Sequence, residues 1–164
     1  MDYIAPTTLE EAFRALETED ARCLAGGQSL VAMMNLGLVA PAKLVSLRRI
    51  ASLRGIEKAK DGGLRLGAMT THAEIAALDE GWLIAQAARV LAYPAIRAFG
   101  TIGGSVANAD PSADYPVALL AAAAEIEVTS AREARKIPAR EFFKGLFETA
   151  LASGEIVTAI HIPA

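Results

Sequence analysis

The stretch from Arg97 to Tyr115, R-A-F-G-T-I-G-G-S-V-A-N-A-D-P-S-A-D-Y, decides how this chain is read. Glycines, small hydroxyls, an amide and two carboxylates crowd into it, whereas the rest of the chain is rich in Ala, Leu and Val. The pair Gly103-Gly104 is expected to adopt positive φ and, lacking Cβ, to let a ligand come close to the backbone, with Thr101 and Ser105 as flanking donors. That combination suits a diphosphate. The stretch has neither the Lys and spacing of a P-loop nor the G-x-G-x-x-G of a Rossmann turn. Asp110 and Asp114 would repel a phosphate, so a carboxylate here is expected to accept from hydroxyls of a ribityl or sugar chain. The residues point to a nucleotide with a polyol part.

A second glycine pair lies upstream, in Ala25-Gly26-Gly27-Gln28-Ser29-Leu30. The short apolar run Ala21 to Ala25 reads as a buried strand, and Gln28 and Ser29 open a helical pattern through Leu30, Met33, Met34 and Gly37. The glycine turn therefore sits between a strand and a helix N-terminus, where free N–H groups and the helix dipole favour an anion. A plain strand-to-helix turn without ligand is the alternative that either glycine pair alone leaves open.

T-I-G-G followed by A-N-A-D-P-S-A-D, preceded by A-G-G-Q-S-L and P-A-K-L-V-S-L and followed by G-E-I-V-T-A-I-H-I-P, resembles the FAD-binding (medium) subunit of molybdenum hydroxylases, the family of aerobic carbon monoxide dehydrogenase and of the flavin domain of xanthine dehydrogenase. The resemblance covers nearly the whole chain. It implies an α+β, two-lobed PCMH-type FAD-binding fold: a small parallel α/β lobe over residues 1–55, then a larger mixed α+β lobe over residues 56–164. It implies FAD as cofactor, with Leu24, Ala25, Gly26, Gly27, Gln28, Ser29 and Leu30 around the diphosphate. Leu91 would pack near the adenine, and Thr101, Ile102, Gly103, Gly104 and Ser105 would lie on the FAD. Asp114 would bond the ribityl chain and Val157 would lie near the flavin, while Asn108 and Asp110 have turn chemistry ahead of Pro111 as their other reading. Where the family has R-N-R or R-N-x before its glycines, this chain has Arg97-Ala98-Phe99. Relatives commonly continue into a third lobe, which the resemblance implies is absent here.

The implied role is electron relay. A molybdopterin-containing large subunit oxidises a substrate, a 2Fe-2S small subunit passes single electrons, and the flavin delivers them to an external acceptor. No residue of this chain is then a catalytic acid or base, because the cofactor carries the chemistry. The competing class is a flavin-nucleotide-binding module without redox turnover. The single cysteine, Cys23, fits a cluster held elsewhere, since an iron–sulfur cluster takes about four thiolates.

Composition sets the bounds. With 164 residues, 53% apolar and 21% charged, the chain can bury a core. Net charge is −3 and no basic run exceeds the pair Arg48-Arg49, so no nucleic-acid partner is expected. No apolar run approaches the ~20 residues of a membrane span, and Met1-Asp2-Tyr3 opens without a signal-peptide pattern, so the expected address is cytoplasmic.

The remaining elements follow from pattern. Thr7/Glu10 or Thr8/Glu11 marks a helix start, and Lys43 to Leu47 a strand parallel to the first. Ser46 to Leu53 reads as a polar surface connection. Gly55-Ile56-Glu57 and Leu64 to Gly67 form a hairpin, and Thr71 with Glu74 caps another helix. Trp82 to Leu91 is a helix with Leu83, Ala87, Val90 and Leu91 on one side, Trp82 packing in the core. His72 is expected at the surface or in a cap. Pro111 to Ala124 is a helix, Glu125 to Thr129 and Lys136 to Ala139 are strands, and Arg140 to Gly145 is a short helix. Ile156 to Ile162 is a strand, apolar on one face, with His161 on the other, exposed or hydrogen-bonded.

Overall fold

The computed structural model describes residues 1–164. Its elements run β1 (Asp2–Ile4), α1 (Leu9–Leu16), β2 (Ala21–Leu24), α2 (Leu30–Asn35), β3 (Lys43–Ser46), β4 (Ile56–Lys58), β5 (Leu64–Gly67), α3 (His72–Ala76), α4 (Leu83–Val90), α5 (Pro94–Phe99), α6 (Ile102–Asn108) and α7 (Asp114–Ala121). There follow β6 (Glu125–Thr129), β7 (Ala134–Pro138), α8 (Ala139–Phe142), β8 (Phe143–Gly145), β9 (Glu148–Thr149) and β10 (Ile156–Ile162). A parallel three-stranded sheet, order β1-β3-β2, occupies the N-terminal part. An antiparallel five-stranded sheet, order β4-β5-β10-β6-β7, occupies the rest, beside the small β8-β9 pair. This is the expected α+β arrangement, with β1 as a strand that the pattern does not announce. Three residues at an exposed edge carry no readable alternation.

Local chemistry explains the helix starts. Thr8 Oγ1 accepts from the Glu11 amide at 3.2 Å, while Glu11 Oε2 reaches back to the Thr7 amide at 2.8 Å. Thr71 and Glu74 form a complete capping box. Each removes orphan donors from a helix N-terminus.

Two cores hold the sheets. One packs Phe13 and Ala12 of α1 against Val45, Leu47, Ile50 and Leu53, and is completed by Met69 and Ile156 from the later part of the chain. The other lies on the five-stranded sheet, around Leu66, Ile126 and Ile160 with Ile84, Ile102, Tyr115, Leu119 and Phe142. Ser46 to Leu53 is therefore a core segment and not the expected surface connection. It forms two 3-10 turns, Leu47–Arg49 and Ala51–Leu53. Leu47, Ile50 and Leu53 are buried, Ile50 being the extended residue between the two turns, while Arg48 and Arg49 are exposed. Burying each such side chain contributes about 1.5 to 3 kcal/mol.

Three further expectations change. The buried side of α4 is Ile84, Ala85 and Ala88, with Leu83 and Val90 exposed; the alanines let α4 lie close to its neighbours, which the larger side chains would prevent. Arg140 to Gly145 is not one helix, because after α8 the chain turns extended and pairs β8 with β9. The helix expected from Pro111 begins at Asp114, because Asp110 holds the preceding turn through its bonds to Ser112. β10 is the central strand and is buried on nearly all positions, so both of its faces pack. Trp82 is half-buried against the larger core, and His161 Nε2 lies 2.8 Å from Glu127 Oε2. No helix is long and apolar enough to cross a membrane.

Candidate functional site

The β2–α2 loop and the start of α6 meet side by side. A Cβ on Gly26 would lie 2.3 Å from the Phe99 carbonyl oxygen and 2.7 Å from Gly100 Cα, and one on Gly104 would lie 3.3 Å from Ala25 Cβ. Glycine at Gly26 is what allows the two glycine segments to touch. Above this contact opens a cleft of about 710 Å³, within the roughly 300 to 1,000 Å³ usual for a cofactor or ligand site.

Ala25, Gly26, Gly27, Gln28, Ser29 and Leu30 line the cleft from one side, and Thr101, Gly103, Gly104 and Ser105 from the other. Leu91 at the end of α4, Asp114 opening α7 and Val157 in β10 complete the expected set. Leu24 and Ile102 are not part of the wall. Leu24 supports the loop from below, its Cδ1 being 3.6 Å from where a Gly27 Cβ would stand, and Ile102 is fully buried in the larger core.

The two glycine segments differ in their donors. The amides of Gly26, Gly27, Gln28 and Ser29 donate no hydrogen bond within the protein. Gly27 has φ +76°, a conformation that favours glycine, within this run of residues at the cleft. In α6 every leading amide is used. Ile102 donates to the Thr70 carbonyl at 3.0 Å, Gly103 to the Ala68 carbonyl at 2.8 Å, Ser105 to the Thr101 carbonyl at 3.0 Å, and Gly104 to Thr101 Oγ1 at 3.2 Å. Nor do Gly103 and Gly104 have positive φ; they are helical, contrary to expectation. Gly103 is glycine for a packing reason, since a Cβ there would stand 2.5 Å from Ala68 Cβ and 2.7 Å from its carbonyl oxygen.

Four charged side chains line the cleft, Arg22, Asp110, Asp114 and Glu155, and two of them are engaged within the protein. Asp110 Oδ1 accepts from the Ser112 amide at 2.9 Å and its hydroxyl at 2.6 Å, bonds that hold its carboxyl below the usual range and make it a turn residue. Glu155 is held low by Arg135, 2.7 Å away. The side chains of Asp114, Arg22 and Ser105 make no hydrogen bond or ion pair within the protein. Burial pushes the Cys23 thiol up to about 11, so it keeps its proton at neutral pH.

His72 also lines the cleft and is buried, against the expectation of a surface or cap role. Its Nδ1 lies 3.0 Å from Tyr115 Oη, and burial pushes its pKa down to about 4. Sequence could not show this pairing, because the partners are 43 residues apart.

Donor chemistry and volume fit a dinucleotide: a run of free amides for an anionic diphosphate, a cleft of about 710 Å³, and a free carboxylate for hydroxyls. The family described as "FAD binding domain in molybdopterin dehydrogenase" matches residues 1–164. The carbon monoxide dehydrogenase medium chain of Afipia carboxidovorans is 40% identical over 99% of this chain and 58% of its own length. The xanthine dehydrogenase FAD-binding subunit of Escherichia coli is 32% identical over 98% of this chain and 57% of its own. In structure, the chain is similar to cyanide-inactivated Cu,Mo-CO dehydrogenase, with TM-score 0.94 and 38% identity over 100% of this chain and 59% of that one. It is similar too to quinoline 2-oxidoreductase from Pseudomonas putida 86, with TM-score 0.93, 34% identity, and 99% and 59% covered. The chain thus spans less than two thirds of these relatives' length. A match along the whole chain, joined to a cleft that fits the cofactor, places it in the family of FAD-binding domains of molybdopterin dehydrogenases.

Proposed function

We propose that this chain, as lobes 1–55 and 56–164, holds FAD in its cleft as the flavin part of a cytoplasmic molybdenum hydroxylase of carbon monoxide or xanthine dehydrogenase type. Electrons would enter from a 2Fe-2S small subunit served by a molybdopterin-containing large subunit and leave to an external acceptor. When bound, FAD supplies the step between one-electron donors and a two-electron acceptor. The protein's own part is binding and orientation.

The observation that carries this reading is the run of free amides from Gly26 to Ser29 at the cleft. They donate to the diphosphate, while Thr101 and Ser105 add hydroxyls and Gly104 a Cβ-free surface. Asp114 accepts from the ribityl chain, and Leu91 and Val157 give apolar contact at opposite ends. FAD should therefore bind more tightly than FMN or riboflavin in a fluorescence titration. Equal affinity for FAD and FMN would show that the adenylate half makes no useful contact, and would overturn the assignment. Bleaching of the bound flavin by a reduced iron–sulfur partner distinguishes electron relay from nucleotide binding alone.

A further inference from the structure

His72 has one ring nitrogen accounted for and one left over. Tyr115 is fully buried, and its hydroxyl has a single partner, His72 Nδ1. Burial raises the Tyr115 pKa, so the phenol keeps its proton. If Nδ1 carried a hydrogen and donated to Oη, the phenol's own hydrogen would be buried without an acceptor. The phenol therefore donates to Nδ1, and a neutral imidazole that accepts at Nδ1 carries its hydrogen on Nε2.

That Nε2–H has no acceptor in the protein, although His72 is only 5% exposed. No fully buried side-chain nitrogen or oxygen lacks a partner in this structure, so Nε2 keeps an opening, and the cleft that His72 lines supplies it. The ring edge is held there. A Cβ on Gly100 would lie 2.6 Å from Nε2, the His72 amide donates to the Gly100 carbonyl at 3.0 Å, and the imidazole meets the Tyr115 ring edge-on at 5.1 Å.

We propose that His72 is a cofactor-binding residue whose Nε2–H, fixed in that tautomer by Tyr115 behind it, donates to an acceptor atom of FAD at the Gly100–Thr101 wall of the cleft. The inference rests on the FAD reading above. It adds a neutral, directional donor where the α6 amides are all used internally.

The test is nitrogen-15 NMR of His72 in the wild-type protein, without and with saturating FAD. The flavin-free protein should show the Nε2–H tautomer, and FAD should move the Nε2 proton downfield and slow its exchange with water. His72→Phe should weaken FAD about tenfold, the loss of one hydrogen bond, while His72→Gln, which keeps a donor, should stay within about threefold of wild type. Tyr115→Phe should leave a mixture of tautomers, an effect that packing alone would not produce. FAD binding with unmoved His72 resonances overturns this contact and leaves the cofactor assignment intact. Failure of the wild-type protein to bind FAD overturns both.

Discussion

Two segments of this chain, A-G-G-Q-S at Ala25 to Ser29 and T-I-G-G-S at Thr101 to Ser105, have almost the same composition and do different physical work. The first leaves the amides of Gly26 to Ser29 without partners and bends at a positive φ on Gly27. The second is the first turn of a helix whose amides are spent on Thr70, Ala68 and Thr101. In the first, Gly27 gives backbone freedom beside open donors, and Gly26 removes bulk so that the two segments can meet. In the second, Gly103 removes bulk so that α6 can lie on Ala68. A glycine pair in a sequence therefore announces close approach, but not whether the thing approached is a ligand or another part of the chain.

The largest effect that separates them is expected at Gly103. Replacing it with Val drives a Cβ into Ala68 and strains the bond from the Gly103 amide to the Ala68 carbonyl. Overpacking against backbone should cost about 3 kcal/mol, lowering Tm by roughly 6 to 12 °C in a chain of this size. The folded fraction should bind FAD within about threefold of wild type. Thermal melts alongside flavin titration check this, and tight folding with lost FAD would return Gly103 to the cofactor.

At Gly27 the balance should reverse. A Cβ there would meet only Val31 Cγ2, at 3.2 Å, but φ +76° carries about 1 to 2 kcal/mol of strain for an L side chain. The loop can relax that strain by turning its amides away from the cleft. Gly27→Ala should therefore weaken FAD about tenfold and lower Tm by only a few degrees. A fall in Tm with unchanged affinity would show that the free amides of this loop do not hold the diphosphate.

The same contrast explains what the sequence could show. Strands β6 and β10 run from Glu125 to Thr129 and from Ile156 to Ile162 as expected, although only β6 alternates in burial and β10, at the centre of the sheet, packs on both faces. Both capping starts were equally legible, being local. The five residues of the β2–α2 loop reach the cleft as expected, since a glycine turn after a strand has a local geometry. The Ser46 to Leu53 segment misleads because its apolar residues fall on two 3-10 turns and the extended residue between them rather than on a helix or strand. Gly103 and His72 mislead for another reason. What decides their roles is Ala68 and Tyr115, and no local rule connects residues so far apart.

Asp114 offers the finest division between cofactor contact and scaffold. It opens α7 after Ala113, an N-cap without a side-chain bond, so its charge also favours the helix dipole, an effect of about 0.3 to 1 kcal/mol. Asn and Ala substitutions both remove that charge, a loss that by itself should lower the Tm of the flavin-free protein by a small amount. At the cofactor they differ in that Asn keeps an acceptor of nearly the same shape where Ala leaves none, while in α7 Ala is the better helix former by up to about 0.7 kcal/mol. A ribityl hydroxyl deprived of its acceptor costs about 1 kcal/mol, near fivefold in affinity. Asp114→Ala should therefore bind FAD about fivefold more weakly than Asp114→Asn, although its flavin-free form melts no lower than that of Asp114→Asn. If the two variants match in affinity, only the charge of Asp114 matters, and it acts on α7 rather than on the cofactor.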